Sequence, residues 1–217
     1  MVERAAQKRE TRRRIAEAAF GLFVRRGFDL VTVADVAAAA GVTEKTVFNH
    51  FRSKEDLVYS EDAAFEAALL DAVGGRPPRE TPLSAAKAFF QRRYEKVRLD
   101  PDGRRRAAAL AALVADSPAL RARERDIHSR YAEALAELIA AEQDAPADDL
   151  RPRLAAEAIV AVHRETVAAV RRALLAGAPD EEIAARALRV SGEAFALLAG
   201  GLARYAAKPA RSRVKAI

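Results

Sequence analysis

The sequence predicts an all-α protein of about nine helices, because its apolar residues recur at intervals of three and four positions along nearly the whole chain. That spacing places apolar side chains on one face of a helix. No segment keeps the alternation of apolar and polar residues that a half-buried strand requires. Alanine, the best helix former, is abundant between well-spaced glycines and prolines.

Residues that begin and end helices divide the chain into its elements. Thr32 is followed after three residues by Asp35, which resembles a capping box with aspartate in place of the usual glutamate. Thr43, Ser53 and Asp180 are the expected N-caps of three further helices. The predicted helices are 7–26, 32–41, 44–51, 53–73, 84–99, 101–115, 117–142, 150–175 and 180–207.

The distribution of charge suggests two parts with different tasks. The chain has 217 residues, 51% of them hydrophobic, and a net charge of +6. Residues 1–54 carry 11 basic against 6 acidic side chains, whereas residues 55–217 carry 26 against 25. A basic N-terminal segment attached to a nearly neutral body is typical of a polyanion-binding domain joined to a sensing or interaction domain. We therefore predict an N-terminal domain over 1–54 and a C-terminal effector-binding and dimerisation domain over 55–217.

Several classes of protein are disfavoured by what the sequence lacks. With no cysteine, disulfides, thiolate metal sites and cysteine nucleophiles are excluded. No apolar stretch approaches the roughly 20 residues of a membrane span, and no secretion signal is recognisable, so we expect a cytoplasmic protein with no membrane partner. Common hydrolase, phosphate-loop and dinucleotide-binding motifs are absent, so an enzyme is not expected and no cofactor is predicted.

The segment from Thr32 to Phe51 has the pattern of a helix-turn-helix, in which two short helices are joined by a tight turn containing glycine. In such a motif the second helix enters the major groove of DNA. The apolar positions expected to lock the two helices together are Val33, Val36, Ala37, Val42, Val47 and Phe51. The side chains expected to point outward are Glu44, Lys45, Thr46, Asn49 and His50.

Around this motif the chain resembles the tetracycline-repressor (TetR) family of bacterial one-component regulators. The resemblance runs from about Arg12 to Tyr59, over the series RRRIAEAAFGLFVRRGFDLVTVADVAAAAGVTEKTVFNHFRSKEDLVYS. The positions that match the family pattern are Ile15, Ala18, Phe23, Gly27, Phe28, Thr32, Val33, Val36, Ala37, Gly41, Val42, Thr46, His50, Phe51, Lys54, Glu55 and Leu57. The rest of the chain resembles the family only in having about six more helices of the expected lengths.

The resemblance implies roles for residues of the motif. Thr32, Thr43 and Lys54 would hold backbone phosphates, and Lys45, Thr46 and Asn49 would face the groove. The family usually has tyrosine at Phe48, so one hydroxyl contact to phosphate is missing here. The DNA-binding set that we predict is Thr32, Thr43, Glu44, Lys45, Thr46, Phe48, Asn49, His50 and Lys54.

Structural alternatives remain open for these residues. Thr32 and Thr43 cap helices whether or not DNA is bound. Glu44 suits the dipole of the first helical turn, or would accept a hydrogen bond from cytosine N4. The basic side chains of the first helix either solubilise it or contact phosphate or the minor groove; they are Lys8, Arg9, Arg12, Arg13 and Arg14.

A symmetric dimer is expected, because a single helix-turn-helix reads few base pairs. The last two helices, at 1.5 Å per residue, are each long enough for a two-fold four-helix bundle. Small residues on the ninth helix would allow close approach; packing within one chain is the alternative. The predicted interface consists of Ala158, Val162, Phe195, Ala196, Ala199, Gly200, Leu202 and Ala203.

By the family resemblance, the fourth to seventh helices enclose a ligand pocket, and an effector shifts the fourth helix so that the two DNA-binding heads no longer match adjacent major grooves. The candidate pocket residues are Phe65, Phe89, Phe90, Tyr94, His128, Tyr131 and His163. Ordinary core or surface positions are the alternative for each. No metal site is expected, since His128 has no partner at metal-ligand spacing in the sequence.

The sequence therefore predicts a regulator, in the family's usual mode a repressor, that binds a palindromic operator in double-stranded DNA as a homodimer. A small apolar or amphipathic effector would release it. The main alternative is a helical module that binds DNA without sequence preference and without an effector; an all-helical enzyme is the other.

Overall fold

The computed structural model describes residues 2–95 and 101–202, and within them it contains nine α-helices and no strand, which confirms the all-α prediction. The helices are α1 (Val2–Arg26), α2 (Val33–Ala40), α3 (Glu44–His50), α4 (Asp62–Gly74), α5 (Pro82–Glu95), α6 (Pro101–Asp116), α7 (Pro118–Glu142), α8 (Arg151–Leu175) and α9 (Asp180–Leu202). None of the described helices is long and apolar enough to span a bilayer.

The chain forms two compact units. The first contains Met1–Ala63 together with Arg105–Arg125, and the second contains Ala64–Arg104 together with Asp126–Ile217. The chain thus enters the second unit within α4, and α6 and α7 contribute to both units. The predicted N-terminal domain, 1–54, lies within the first unit, which continues further along the chain, so the boundary at residue 54 stays a prediction.

The first unit is built around one apolar core. One face of α1 forms part of this core, since Ile15, Ala19 and Phe23 have no exposed surface. The ring of Phe23 packs against that of Phe28, with centroids 5.1 Å apart, and so holds the turn after α1 on the core. All six residues predicted to lock α2 and α3 together belong to this core; they are Val33, Val36, Ala37, Val42, Val47 and Phe51.

The ends of α2 follow the sequence closely. Thr32 Oγ1 accepts a hydrogen bond from the backbone N–H of Asp35 at 3.1 Å, and Asp35 Oδ2 accepts one from the backbone N–H of Thr32 at 2.9 Å, so the capping box is confirmed. Gly41 ends the helix with φ of 64°, a left-handed conformation that glycine adopts without strain. This glycine sets the tight turn between α2 and α3.

The predicted fourth helix, 53–73, is wrong at its start. A short 3₁₀ turn, Glu55–Leu57, precedes α4, which begins only at Asp62. Asp56 N–H does bond to Ser53 Oγ at 3.3 Å, but Val58 N–H to the carbonyl of Glu55 and Asp62 N–H to that of Tyr59 are turn bonds that span three residues, at 2.9 and 3.1 Å. Leu57, 2% exposed, enters the first core from this turn. In the same segment the carbonyl of Ser60 accepts a hydrogen bond from Arg12 on α1, a contact that the local sequence pattern does not indicate.

Three other helix starts differ from the prediction. The first helix begins at Val2 rather than at residue 7, since no glycine or proline interrupts the segment. The fifth begins at Pro82, because Thr81 Oγ1 accepts from the N–H of Ser84 at 3.1 Å and proline suits the first helical turn. Asp180 is the first residue of α9 rather than its cap, and its carboxylate pairs with Arg104. The predicted ends at 99 and 207 lie outside the described residues.

Candidate nucleic-acid interface and ligand site

The recognition-helix candidate α3 is held firmly in the first unit. Val47 and Phe51 are 1% and 2% exposed and pack in its core. The N-terminus is capped by Thr43, whose Oγ1 accepts from the N–H of Thr46 at 3.1 Å, and the hydroxyls of Thr43 and Thr46 lie 2.9 Å apart. One side of this short helix is thus fixed, and the opposite side is presented to solvent.

The solvent side of α3 carries Glu44, Lys45, Phe48 and Asn49, all exposed. The outward orientation that the sequence predicts is confirmed for the three polar residues among them. It is wrong in part for Thr46 and His50, which are half-buried because they lie at the edges of the packed side. The exposed side chains of Glu44, Lys45, Phe48 and Asn49 are together called the α3 face.

Two of the predicted phosphate-binding residues, Thr32 and Lys54, have hydrogen-bond partners within the first unit. The Thr32 hydroxyl donates to Asp35 Oδ2 at 2.8 Å while it accepts the N–H of Asp35, so both of its roles serve the cap. These hydrogen bonds from Thr32 lower the pKa of Asp35 and keep that carboxylate charged. Lys54 Nζ donates to the carbonyls of Phe28 and Val31, at 3.0 and 3.2 Å, and lies 4.2 Å from the centroid of the Phe28 ring. Two of the three N–H donors of Lys54 thus serve the fold of the first unit, and phosphate binding by the third stays a prediction.

Arg12 is also engaged inside the first unit. Its guanidinium donates to the carbonyl of His50 at the end of α3 and, at 3.1 Å, to that of Ser60, and it lies 4.1 Å from the centroid of the Phe51 ring. The neighbouring His50 has a buried Nδ1 with no hydrogen-bond partner among the described residues. Burial, with the charges of Lys8 and Arg12, lowers the pKa of His50, so its ring is neutral near pH 7. Arg12 is thus a positioning residue for α3.

Replacing Arg12 by alanine should lower the free energy of unfolding by about 2–3 kcal/mol, because two charge-assisted hydrogen bonds to carbonyls and a cation–π contact are lost. The matched control is Arg14→Ala, which removes the same charge from an exposed position on α1. Urea unfolding followed by circular dichroism compares the two. Equal stability of the two variants would show that the contacts of Arg12 do not hold α3.

In the second unit, the side chains predicted to line a pocket lie in one cluster around His163 on α8. The imidazole lies nearly parallel to the rings of Phe65 and Phe90, with centroid distances of 4.5 and 5.4 Å. His128 meets it edge-on at 5.6 Å, and Tyr131 lies at 6.4 Å. Phe89 contacts Phe65 and Phe90 at 5.7 and 5.4 Å, and Tyr94 is stacked on Phe90 at 6.2 Å. These seven side chains, with Phe195, are called the ring cluster.

The polar groups of the ring cluster are few. The Tyr94 hydroxyl lies 3.4 Å from His163 Nδ1, within hydrogen-bonding distance. Burial raises the pKa of Tyr94 to about 12, so the hydroxyl stays protonated. No group of three His, Cys, Asp or Glu side chains in the described part of the chain has the arrangement of a metal site. The cluster is therefore an aromatic core whose polar groups are the imidazoles of His128 and His163 and the phenols of Tyr94 and Tyr131.

The predicted dimer interface needs correction. Val162 and Phe195 are 3% and 2% exposed in a single chain, and the Phe195 ring packs against Phe90 at 5.9 Å. They fill the second unit and are not available to a partner. Ala196, Ala199 and Gly200 on α9 are exposed, and Ala158 on α8 is half-buried. Leu202 ends α9, and Ala203 lies outside the described residues.

Comparison with known proteins identifies the family of this chain. Residues 15–59, which contain α2, α3 and the C-terminal half of α1, match the family described as bacterial regulatory proteins, tetR family. The chain is 33% identical over 172 residues to the HTH-type transcriptional regulator TcmR of Streptomyces glaucescens, a match that covers 74% of this chain and 73% of TcmR. The chain belongs to the TetR family.

Solved structures of TetR-family proteins share the fold. NalD, the secondary repressor of the MexAB-OprM multidrug efflux pump in Pseudomonas aeruginosa, aligns with a TM-score of 0.54 at 23% identity, over 86% of this chain and 97% of NalD. A complex of SmeT with triclosan aligns with a TM-score of 0.53 at 17% identity, over 88% of this chain and 90% of SmeT. The TetR-family chain is thus a transcriptional regulator with a DNA-binding helix-turn-helix, and α2 and α3 form that motif.

The ring cluster of this TetR-family regulator should make its stability depend on pH. Burial, with the charges of His128 and Arg93, lowers the pKa of His163 to about 3, whereas an imidazole in the unfolded chain titrates near its usual value of about 6.5. Between these values only the unfolded chain binds the proton. The free energy of unfolding should therefore fall as the pH drops below about 6.5, by up to about 1.4 kcal/mol per pH unit.

Urea unfolding between about pH 7 and about pH 5 measures this slope, and His163→Gln, which cannot titrate, should flatten it. Carboxylates contribute equally to both proteins and cancel in the comparison. Parallel stability profiles would mean that His163 takes up its proton at the same pH in the folded chain as in the unfolded chain.

Proposed function

We propose that this TetR-family regulator is a repressor that binds a palindromic operator as a homodimer and leaves it when a small molecule binds at the ring cluster. The observation that carries the proposal is the α3 face, an exposed set of side chains on a helix whose other side is fixed in a core. A helix held in this way inserts into a major groove without losing side-chain packing, because the packed residues point away from the DNA.

Lys45 and Asn49 are the proposed base readers. A lysine ammonium donates to O6 and N7 of guanine, and an asparagine amide recognises N6 and N7 of adenine. Both side chains are exposed on the α3 face. Glu44 lies in the first turn, where its charge suits the helix dipole and would also accept from cytosine N4. Thr43 caps α3 and would hold the adjacent phosphate, whereas the hydroxyl of Thr32 already donates to Asp35 and would have to give up that bond to do the same beside α2.

A homodimer through α8 and α9 is supported by the apolar surface that these helices expose. Leu154 and Leu175 on α8 are 61% and 50% exposed, and Leu197 on α9 is 84% exposed. The small exposed residues of α9, Ala196 and Gly200, allow another helix to approach closely. Because a single chain leaves this surface in water, covering it with a second copy is favourable and gives the two-fold symmetry that a palindrome requires.

The ring cluster supports a small apolar or amphipathic effector. Its aromatic rings offer stacking surfaces, and the Tyr94 hydroxyl and the His163 imidazole offer a few oriented polar groups, which is the usual composition of a ligand site. Phe65 belongs to α4, the helix within which the chain passes from the first unit to the second. We propose repression because the chain resembles NalD, which is a repressor. We propose release by a ligand because the chain also resembles SmeT, whose structure contains bound triclosan.

Selection of bound duplexes from a random pool, followed by titration at fixed salt, tests the DNA-binding part of the proposal. A palindromic sequence should emerge, and scrambling it should lower affinity by at least about 1,000-fold. A steep salt dependence without any effect of scrambling would instead favour a module that binds DNA without sequence preference. For the effector, compounds that raise the melting temperature should also displace the selected duplex.

A further inference from the structure

The α3 face contains one apolar side chain, and about half of its surface is left in water. Phe48 is 53% exposed, whereas the other aromatic residue of the same segment, Phe51, is 2% exposed. At about 100° per residue, the exposed arc of α3 runs in the order Glu44, Phe48, Lys45 and Asn49. Phe48 therefore lies inside this arc, flanked by polar groups, and not at its packed edge.

This position decides what Phe48 meets when α3 enters a major groove. The floor of that groove presents hydrogen-bonding groups from every base pair and one apolar group, the 5-methyl of thymine. A phenyl ring has no donor or acceptor for the polar groups, and the methyl is the base substituent against which it buries the most apolar surface. The carbons of deoxyribose at the edges of the groove are the alternative apolar contact, and they do not differ between bases.

We propose that Phe48 is a specificity-determining residue that reads the 5-methyl group of a thymine in each half-site. The proposal goes beyond the function proposed above but rests on it, since it requires α3 to lie in the major groove. Phe48 selects a base by contact with its methyl, while Lys45 and Asn49 select their bases by hydrogen bonds.

Deoxyuridine substitution tests the proposal, because it removes the methyl and leaves every hydrogen-bonding group of thymine in place. Starting from a duplex selected out of a random pool with the full chain, each thymine is replaced in turn and affinity is measured at fixed salt. One position in each half-site should weaken binding by about four-fold, equivalent to the ~0.8 kcal/mol of one buried CH₂ group. Cytosine placed at that position should bind more tightly when it carries a 5-methyl group.

Variants of the protein show whether the preference for the methyl group comes from Phe48 or from a neighbouring residue. With Phe48→Ala, the thymine and deoxyuridine duplexes should bind equally, while Phe48→Tyr, which keeps the ring, should retain the preference. Val24→Ala is the control, since Val24 is 47% exposed on α1 and its loss should leave the preference intact. Circular dichroism melting checks that each variant is folded.

Three results would overturn the inference. They are a selected consensus without thymine in its half-sites, full tolerance of deoxyuridine by the unchanged protein, and a methyl preference that survives in Phe48→Ala. A contact of the ring with deoxyribose alone gives the second result. If the pool yields no preferred sequence at all, the proposed function fails; if it yields one that is insensitive to the methyl, only the reading by Phe48 fails.

Discussion

Replacing Lys45 and Asn49 together by alanine should abolish discrimination between the selected operator and random DNA while leaving the fold intact. Each base contact of this kind contributes about 1–3 kcal/mol of discrimination, and a dimer makes each contact twice. The ratio of specific to non-specific affinity should therefore fall by at least about 100-fold. Both side chains are exposed and the core of the first unit does not include them, so stability should hardly change.

The matched control for this double variant lies in the second unit. Lys87→Ala with Gln143→Ala removes one exposed ammonium and one exposed amide far along the chain from α3, so it should keep the discrimination. Titrations of operator and scrambled duplex at one salt concentration measure the ratio for both proteins. If Lys45 and Asn49 can be lost without effect on the ratio, α3 is not the helix that reads the bases.

Replacing Phe90 by alanine should cause the largest loss of stability, about 3–5 kcal/mol. Phe90 has no exposed surface, and its ring lies 5.4 Å from the His163 ring and 5.9 Å from the Phe195 ring. Removing it leaves a cavity between α5, α8 and α9 that the surrounding rings fill only in part. The measurement is the free energy of unfolding in urea.

Phe89→Ala makes the same chemical change next to Phe90 and serves as the control. Phe89 is half-buried, so its truncation removes less apolar surface from the core and should cost clearly less stability. Both variants keep His163 and Tyr94, so any change in effector binding is due to the loss of a phenyl ring. Equal losses for the two variants would contradict the packing described for the ring cluster.

The sequence was informative where structure depends on neighbouring residues. The capping box of Thr32 and Asp35, the turn at Gly41 and the cap at Thr43 are all interactions within four residues, and all were predicted correctly. The exposed position of Lys45 and Asn49 followed from the same helical periodicity that placed Val47 in the core.

The sequence was less informative where distant segments meet. Arg12 and Lys54 were candidates for phosphate, but they donate to carbonyls 23 to 48 residues away, and no local pattern signals such partners. The stack of Phe65, Phe90 and His163 joins three helices, so spacing along one helix does not reveal it. Phe195 was expected at a dimer interface because a large apolar residue on a helix has the same periodicity whether it faces its own core or a partner.

The proposed function depends most on α3 lying in the major groove of two half-sites, and methylation interference on the selected operator tests this directly. Guanine N7 lies in the major groove, so methyl groups there should block binding at two patches about 10 base pairs apart. The two patches should weaken or vanish for the protein with Lys45 and Asn49 replaced. Interference confined to the minor-groove N3 of adenine, or absent at every guanine N7 of the operator, would contradict the proposed position of α3 in the major groove.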